Sequence, residues 1–308
     1  MERNIDLLYV LGTGSNWNNN EIRFSLRSVH QNLKDVGKIW IVGHDPGGLK
    51  NINFIPHPDE IGPHNADGNI TRKIIRACRE EGLSDTFIKM NDDYLIIKPI
   101  STHDIVPMHK GDLTEKRNSY FSVNPWRKRL KRTMEALVEK GLPALHFDYH
   151  APIPISKHDF EKTVSLFEYE HDIGICTRSM YGNIVYPDAY QLTYEKEKVF
   201  AHLTLEQINQ LTECALFLAY NDDGLNQSLK YWLGYNFPDP SPYEEILVDD
   251  KYVEIGIWDK TGRDYEHGVE IFKKHYASKN MARLFTSYKT ESLSKKLHYK
   301  LNSRINQL

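Results

Sequence analysis

Apolar residues in the first hundred positions follow two patterns that alternate along the chain, unbroken short runs and repeats with helical spacing. Unbroken runs predict buried strands, and helical spacing predicts amphipathic helices. The predicted elements in chain order are strand 5–11, helix 21–33, strand 38–43, strand 52–55, helix 69–81 and strand 87–90. Strands that alternate with helices are typical of an α/β fold with a mostly parallel sheet, which binds ligands at the carboxyl ends of its strands.

Helical spacing dominates the second half of the chain. The predicted helical segments are 117–141, 160–168, 204–218 and 225–233, and a loop rich in His and Pro lies at 146–155. The sequence contains no repeat and no low-complexity linker between the halves. We therefore expect one domain, 1–308, in which a helical part at 106–308 packs on an α/β part at 1–105.

Composition limits the class of protein. The 308 residues are 40% hydrophobic and 26% charged, as in soluble globular proteins. Three cysteines, Cys78, Cys176 and Cys214, are not spaced as zinc ligands, which predicts reduced thiols. The N-terminus lacks the features of a signal peptide, and no apolar run approaches the roughly 20 residues of a membrane-spanning helix. We expect a soluble, cytoplasmic protein whose contact with a membrane could only be peripheral.

The formal net charge of -3 argues against binding of polyanions by the whole surface. Two local segments are nevertheless basic, RKRLKR at 127–132 and the stretch at 279–308. Such runs are usually solvated faces. They could also hold a polyanionic acceptor, which would be an anionic polysaccharide, a lipid-phosphate surface or nucleic acid.

Two acidic residues follow the last of the predicted strands. Residues 87–100, FIKMNDDYLIIKPI, run from one apolar strand through Asn91, Asp92 and Asp93 into another. Neighbouring carboxylates repel each other, and more strongly where apolar neighbours exclude water. Mg²⁺ or Mn²⁺ removes that repulsion and commonly joins one or two carboxylates to a substrate phosphate. Asp92 and Asp93 are therefore candidate metal ligands of an enzyme that uses a nucleotide-sugar, although Asn-Asp-Asp is also common in solvated turns.

Four separated blocks of the chain share a further pattern. In chain order they are 5–9 with Gly14-Ser15; 20–29 (NEIRFSLRSV) with 39–42 and 87–93; 146–154 with Thr177-Arg178; and Asn221-Asp222 with 237–244 (FPDPSPYE). Taken together and in this order, the blocks resemble the Stealth family of sugar-phosphate transferases. The resemblance implies a GT-A-like nucleotide-sugar fold with a divalent metal. It also implies transfer of a hexose-1-phosphate from a nucleotide-sugar to a hydroxyl group of a glycan-type acceptor, with 1–105 as the nucleotide-binding part and 106–308 on the acceptor side.

One departure from the family pattern concerns the first block. The family has two aspartates flanking Gly-Ser, and this chain has Thr13 and Asn16 there. Either another acid substitutes for them or the chemistry differs, for example plain glycosyl transfer.

Residues at the start of the chain are candidates for binding the nucleotide-sugar. Thr13, Gly14 and Ser15 follow the first strand, where glycine lets a ligand approach the backbone closely. Arg23 and Arg27 lie four apart on one side of the first predicted helix. That pair could be a solvated face, but a guanidinium binds phosphate in a bidentate manner, which favours contact with the donor diphosphate.

Candidates for the chemical step come from the third and fourth blocks. His150 is the candidate general base, with His146 as an alternative base or a core histidine. Arg178 could stabilise charge on the phosphoryl oxygens, or it could form a structural ion pair. Asp222 is a candidate catalytic acid group, or else a helix N-cap.

Three functional hypotheses follow. The first is a metal-dependent transferase that moves sugar-1-phosphate. The second is a glycosyltransferase that releases a nucleoside diphosphate, with a polysaccharide or a hydroxymethylated DNA base as acceptor. The third is an inactive protein that binds carbohydrate or nucleic acid.

Overall fold

The computed structural model describes residues 4–192 and 196–245. The basic segment at 279–308 lies outside the described residues, so its role and the extent of the predicted single domain stay predictions. The strands are β1 (Ile5–Leu11), β2 (Leu33–Lys34), β3 (Val36–Gly43), β4 (Asn53–Pro56), β5 (Thr86–Met90), β6 (Tyr94–Ile96), β7 (Ile100–Ser101), β8 (Met108–His109), β9 (Ile153–Ser156), β10 (Tyr190–Gln191), β11 (Lys196–Lys198) and β12 (Phe217–Ala219). The α-helices are α1 (Asn20–Asn32), α2 (Ala66–Cys78), α3 (Asn118–Phe121), α4 (Pro125–Glu139), α5 (Lys157–Val164), α6 (Thr177–Val185), α7 (Leu205–Thr212) and α8 (Gln227–Asn236).

A five-stranded sheet in the order β4-β3-β1-β5-β9 lies at the centre of the fold. The pairs β1–β3, β1–β5 and β3–β4 are parallel, and only β9 runs antiparallel to its neighbour within this sheet. This confirms the predicted α/β fold with a mostly parallel sheet flanked by helices. Every strand and helix predicted in the first hundred residues is present, with ends shifted by at most three residues.

The central strand β1 supplies both layers of the core. Leu7 and Tyr9 point to the side on which α1 packs, and Leu8 and Val10 point to the side covered by α2, α5 and α6. All four are buried, and burial of such side chains contributes roughly 1.5–3 kcal/mol each. The strand is therefore apolar from Leu7 to Leu11, where both of its faces are covered.

The second half of the chain is less helical than predicted. The predicted helix at 204–218 ends at Thr212, and Phe217–Ala219 instead forms β12, which pairs antiparallel with β6. The loop at 146–155 also ends in a strand, β9, which joins the central sheet beside β5. Both corrections have the same cause. A short apolar segment beside the edge of an existing strand can form more backbone hydrogen bonds by pairing with that strand than by forming one helical turn.

Two arginines of α1 hold loops in place. Arg23 donates long hydrogen bonds of 3.4 Å to the carbonyls of Gly47 and Gly48. Arg27 forms a bidentate pair with Glu244, with Nε–Oε1 at 2.9 Å and Nη2–Oε2 at 2.8 Å, and also donates to the Phe237 carbonyl at 3.0 Å. The Arg27 and Glu244 side chains are 3% and 1% exposed. This ion pair attaches the segment at 237–245 to the helix.

The basic run on α4 is largely engaged within the chain. Its internal partners are Tyr120 for Arg127, Asp67 for Arg129, Glu135 for Lys131 and Asp172 for Arg132. The run at 127–132 therefore presents less free positive charge to a polyanion than its sequence indicates. In the described part of the chain, no helix combines the length and apolar character needed to cross a membrane.

The Arg27–Glu244 pair generates a prediction about stability. Glu244→Gln should lower the free energy of unfolding by about 3–5 kcal/mol, because it leaves a buried guanidinium without its counter-charge. Chemical denaturation of the two proteins measures this difference.

The matched control is Asp172→Asn, which breaks an ion pair whose carboxylate is 69% exposed. Its effect should stay within about 1 kcal/mol. Equal effects of the two substitutions would contradict the structural role of the buried pair.

Candidate active site

The candidate site lies where β1 and β5 end. These neighbours are parallel, with Tyr9 opposite Met90, so the segments that follow them meet at one edge of the sheet. A cavity of about 450 Å³ opens there. It is lined by Gly12, Gly14, Ser15, Glu21, Asp92, Asp93, Tyr220, Asn221, Asp222, Asp223 and Leu225. Five predicted site residues, namely Gly14, Ser15, Asp92, Asp93 and Asp222, thus share one cavity.

The cavity lining is strongly acidic. Its carboxylates are Glu21, Asp92, Asp93, Asp222 and Asp223, and its lining residues include no Lys, Arg or His. An anionic diphosphate would be repelled from such a surface unless a cation accompanied it. The cavity is therefore suited to a cation, or to an anion that arrives with one.

Asp92 and Asp93 fit a divalent cation. Burial, followed by the charges of Asp93 and Glu21, raises the pKa of Asp92. Asp93 has a buried Oδ1 without a hydrogen-bond partner. Mg²⁺ commonly takes one or two carboxylates together with waters and substrate phosphates, so the pair suffices as a partial ligand set. Within the described residues, no group of three or more His, Cys, Asp or Glu side chains is already arranged around a metal position.

The loop between β1 and α1 orients Glu21. The Ser15 hydroxyl donates to Glu21 Oε2 at 2.9 Å and accepts from the Asn19 amide at 2.8 Å. Asn18 and Asn19 both have left-handed backbone, with φ of 52° and 56°, which costs energy for residues other than glycine. Glu21 is 5% exposed, and burial raises the pKa of its carboxyl group. The strained turn thus places a buried carboxylate at the cavity wall.

The other predicted donor-binding residues lie in different surroundings. Gly14 has no atom within 4 Å of the position a Cβ would occupy, so its backbone is open to a ligand. Thr13 is exposed and is not among the residues that line the cavity. Arg23 and Arg27 are buried in the loop contacts described above and are also not among the lining residues. The structure therefore gives no support to a contact of either arginine with the donor diphosphate.

His150 lies beside the metal candidates. Its Nδ1 is 3.7 Å from Asp93 Oδ2, and its side chain is 33% exposed, so solvent and substrate can reach it. His146 differs, because it is 2% exposed and packs at 5.9 Å from the ring of Trp126. Burial, followed by the charge of Lys110, lowers the pKa of His146 to about 3. An imidazole with so low a pKa is a weak base, so of the two histidines His150 suits proton transfer.

Arg178 and His150 both lie next to Tyr94. Arg178 stacks over Tyr149 at 4.4 Å, and its Nη1 donates to the Tyr94 hydroxyl at 3.1 Å and to the Ala151 carbonyl at 2.6 Å. Its Nε and Nη2 are buried and have no hydrogen-bond partner. An Arg178 ion pair with a carboxylate, the structural alternative, does not occur within the described residues. Such a guanidinium retains donors for an anionic group.

Asp222 is not a helix cap. Asn221 caps the short 3-10 helix at Asp222–Gly224, and Asn226 caps α8. Asp222 Oδ2 instead accepts a hydrogen bond from Asn16 Nδ2 at 3.2 Å. Asn16, where the family pattern has an acid, thus lies against an acid of the fourth block.

Among the lining residues, sequence reasoning assigned no role to Glu21 or Tyr220, and it considered Asp223 only with Asp222 as a possible N-cap. Tyr220 is 1% exposed, and its hydroxyl has no hydrogen-bond partner. Glu21 sits in the helical repeat that predicted α1, and Tyr220 lies just after the predicted helix at 204–218. The repeated Asn-Asp-Asp at 91–93 and 221–223 was the one available signal for Asp223.

Comparisons with known proteins add little beyond the fold. No family model and no curated protein matches the chain. The chain is similar to the apo form of the glycosyltransferase GlyE of Streptococcus pneumoniae TIGR4, with 12% identity and a TM-score of 0.41 over 78% of this chain and 61% of that one. It is also similar to mouse xyloside xylosyltransferase 1, with 10% identity and a TM-score of 0.39 over 72% of this chain and 100% of that one. The chain thus spans less than two thirds of GlyE, and similarity at this level assigns no function.

The buried histidine generates a prediction about pH. In the unfolded chain His146 has a pKa near 6.5. Below that pH its imidazole is therefore protonated in the unfolded state and still neutral in the folded state. Stability should therefore fall as the pH drops from 7 to 5, by up to about 2 kcal/mol more in the wild type than in His146→Phe. Urea denaturation at the two pH values measures the difference.

His171→Gln is the control, because His171 is exposed. It should keep the pH dependence of the wild type. If His146→Phe also kept it, His146 would not be the neutral core residue described here.

Proposed function

We propose that this chain is a metal-dependent transferase that moves sugar-1-phosphate from a nucleotide-sugar to a hydroxyl group of a glycan-type acceptor. The main support is one arrangement. An acidic cavity at the ends of β1 and β5 has an accessible histidine, His150, beside its Asp93, and the buried Arg178, which has unused donors, bonds to the neighbouring Tyr94. A cation site, a base and an anion-stabilising group are the parts that phosphoryl transfer needs.

The donor diphosphate would be held at the cavity. Asp92 and Asp93 would hold Mg²⁺ or Mn²⁺, which when bound neutralises charge on the phosphates and on the leaving group. The open backbone at Gly14 allows the donor to lie close to the loop after β1. Ser15 keeps its hydroxyl on Glu21 and so acts on the donor indirectly.

The chemical step would use His150 and Arg178. The acceptor hydroxyl oxygen forms a bond to the phosphorus that bears the sugar, and its proton passes to the imidazole of His150. The bond from that phosphorus to the bridging oxygen breaks, and a nucleoside monophosphate leaves. The positive charge of Arg178, which is buried outside the cavity lining, stabilises the charge that develops on the phosphoryl oxygens. The product is a phosphodiester between sugar and acceptor.

Glycosyl transfer is the second candidate, and one observation favours it. The two acids of the family pattern are replaced, with Thr13 exposed and Asn16 bonded to Asp222. In that reaction the bond between the sugar carbon and the phosphate breaks, and a nucleoside diphosphate leaves. The leaving nucleotide therefore separates the two reactions.

Nucleotide release in the presence of Mn²⁺ tests the proposal. Across a panel of nucleotide-sugars and glycan acceptors, we expect nucleoside monophosphate as the product. Asp92→Asn should lower its rate by more than about 100-fold, since changes to the mere partners of metal ligands typically cost roughly 10- to 100-fold. Chromatography that separates monophosphate from diphosphate gives the result.

The control variant is Asp172→Asn, whose carboxylate lies outside the cavity. Release of a nucleoside diphosphate would contradict phosphotransfer and would identify the reaction as glycosyl transfer. Equal rates for Asp92→Asn and the wild type would remove Asp92 from the site. A chain that neither binds nor cleaves any nucleotide-sugar with Mn²⁺ would be the inactive binding protein, and anionic glycans or modified DNA would be its expected ligands.

Arg178→Lys tests the role of the guanidinium. Lysine keeps the positive charge but loses the planar fork, so kcat should fall roughly 100-fold while KM changes only a few-fold. Arg127→Lys is a matched control, because Arg127 also stacks on a tyrosine, at 4.3 Å from the Tyr120 ring. A kcat for Arg178→Lys equal to that of the wild type would contradict the proposed role.

A further inference from the structure

The cavity lining has more carboxylates than one divalent cation can balance when all of them are ionised. Its lining includes five carboxylates and no basic side chain. A nucleotide-sugar bound there, as proposed above, would add the negative charge of its diphosphate. One divalent cation supplies two positive charges, so a donor bound with a single cation would still face net repulsion.

Glu21 connects the two acidic groups of the cavity. The charge of Glu21 raises the pKa of Asp92, and the charges of Asp222 and Asp93 raise that of Glu21. All of these carboxylates line the same cavity, and the adjacent Ser15 and Asn16 donate to Glu21 Oε2 and Asp222 Oδ2, so both of these acids lie beside one loop. Glu21 is also held rigidly, because Ser15 donates to its Oε2 and the strained turn before α1 fixes the position of Ser15.

An independent observation marks a ligand position at the same wall. Tyr220 lines the cavity, and its hydroxyl is buried and has no hydrogen-bond partner. The charges of Glu21, Asp93 and Asp92 all act on it. A buried hydroxyl without a partner is destabilising, so its position is explained by a bound group, such as a water or phosphate oxygen of a bound ligand.

We propose that the cavity binds two divalent cations together with the substrate diphosphate, the first on Asp92 and Asp93 and the second on Glu21 and Asp222. The proposal rests on the function proposed above. Each cation takes carboxylates from the chain and oxygens from the same diphosphate, as in enzymes that use two metals for phosphoryl transfer.

The experiment is equilibrium dialysis of the chain against Mn²⁺ with and without inorganic pyrophosphate, followed by measurement of manganese and phosphorus per chain. We expect two Mn²⁺ and one pyrophosphate per wild-type chain, and weaker Mn²⁺ binding without pyrophosphate. Glu21→Gln and, separately, Asp222→Asn should each retain one Mn²⁺. Glu115→Gln, at an exposed position outside the cavity lining, should retain two.

Folding is checked by thermal unfolding without metal. Glu21→Gln removes a carboxylate from a repulsive group, so its midpoint should equal or exceed that of the wild type. One Mn²⁺ per pyrophosphate in the wild type would overturn the second cation. Two Mn²⁺ in both folded variants would overturn its assignment to Glu21 and Asp222.

The failure of this proposal differs from failure of the proposed function. A wild-type chain that binds one Mn²⁺ and still releases nucleoside monophosphate keeps the function and loses the second cation. A chain that binds no Mn²⁺ with pyrophosphate and releases no nucleotide loses both.

Discussion

The parallel pairing of β1 with β5 is the contact on which the candidate site depends. Because the two strands run in the same direction in adjacent positions, the loop after Leu11 and the turn after Met90 emerge at one edge. The helix α1 lies in the connection from β1 to β3, the parallel neighbour of β1 on its other side, so the first turn of α1 follows the loop after Leu11 at that edge. Asp222 and Asp223 reach the cavity because β12, which precedes them, pairs with β6. Backbone hydrogen bonding therefore gathers acids that are far apart in sequence and would otherwise repel one another.

Most elements of the first half could be predicted from the sequence because β1, β3 and β5 are mostly apolar, although they include Asp6, Lys38 and Lys89 respectively. The sequence was less informative for the second half, where β12 is three residues long and β9 includes a proline at 154. Strands so short are defined by their partners, and no local pattern reveals a partner. The same limit applies to the site. Asp92 and Asp93 could be predicted because their repulsion is local, whereas Glu21 and Tyr220 belong to the site only through tertiary contacts.

The arginines show how charge alone misleads. Arg23 and Arg27 have the spacing of a phosphate-binding pair, yet both are buried, bond to Gly47, Gly48 and Glu244, and lie outside the cavity lining. Arg178 has no such spacing in the sequence, and two of its nitrogens have no hydrogen-bond partner. An acid of the first block, Asp6, is also engaged in contacts within the protein. Asp6 lies at the opposite end of β1 from the cavity and accepts hydrogen bonds from the Lys38 amide, the Trp40 ring and the Ser84 amide. Whether a charged residue is structural or can bind a ligand depends on its burial and on its partners. The sequence gives neither.

The Arg27–Glu244 pair has a consequence for the divergence of this chain. Neither residue can be replaced alone without leaving a charge in a dry environment, and the two are 217 positions apart in sequence. Substitutions at the two positions should therefore be coupled. In descendants of this sequence, positions 27 and 244 should either both keep their charges or both become apolar. Since the second outcome needs two coordinated changes, the pair should persist long after the surrounding surface has drifted.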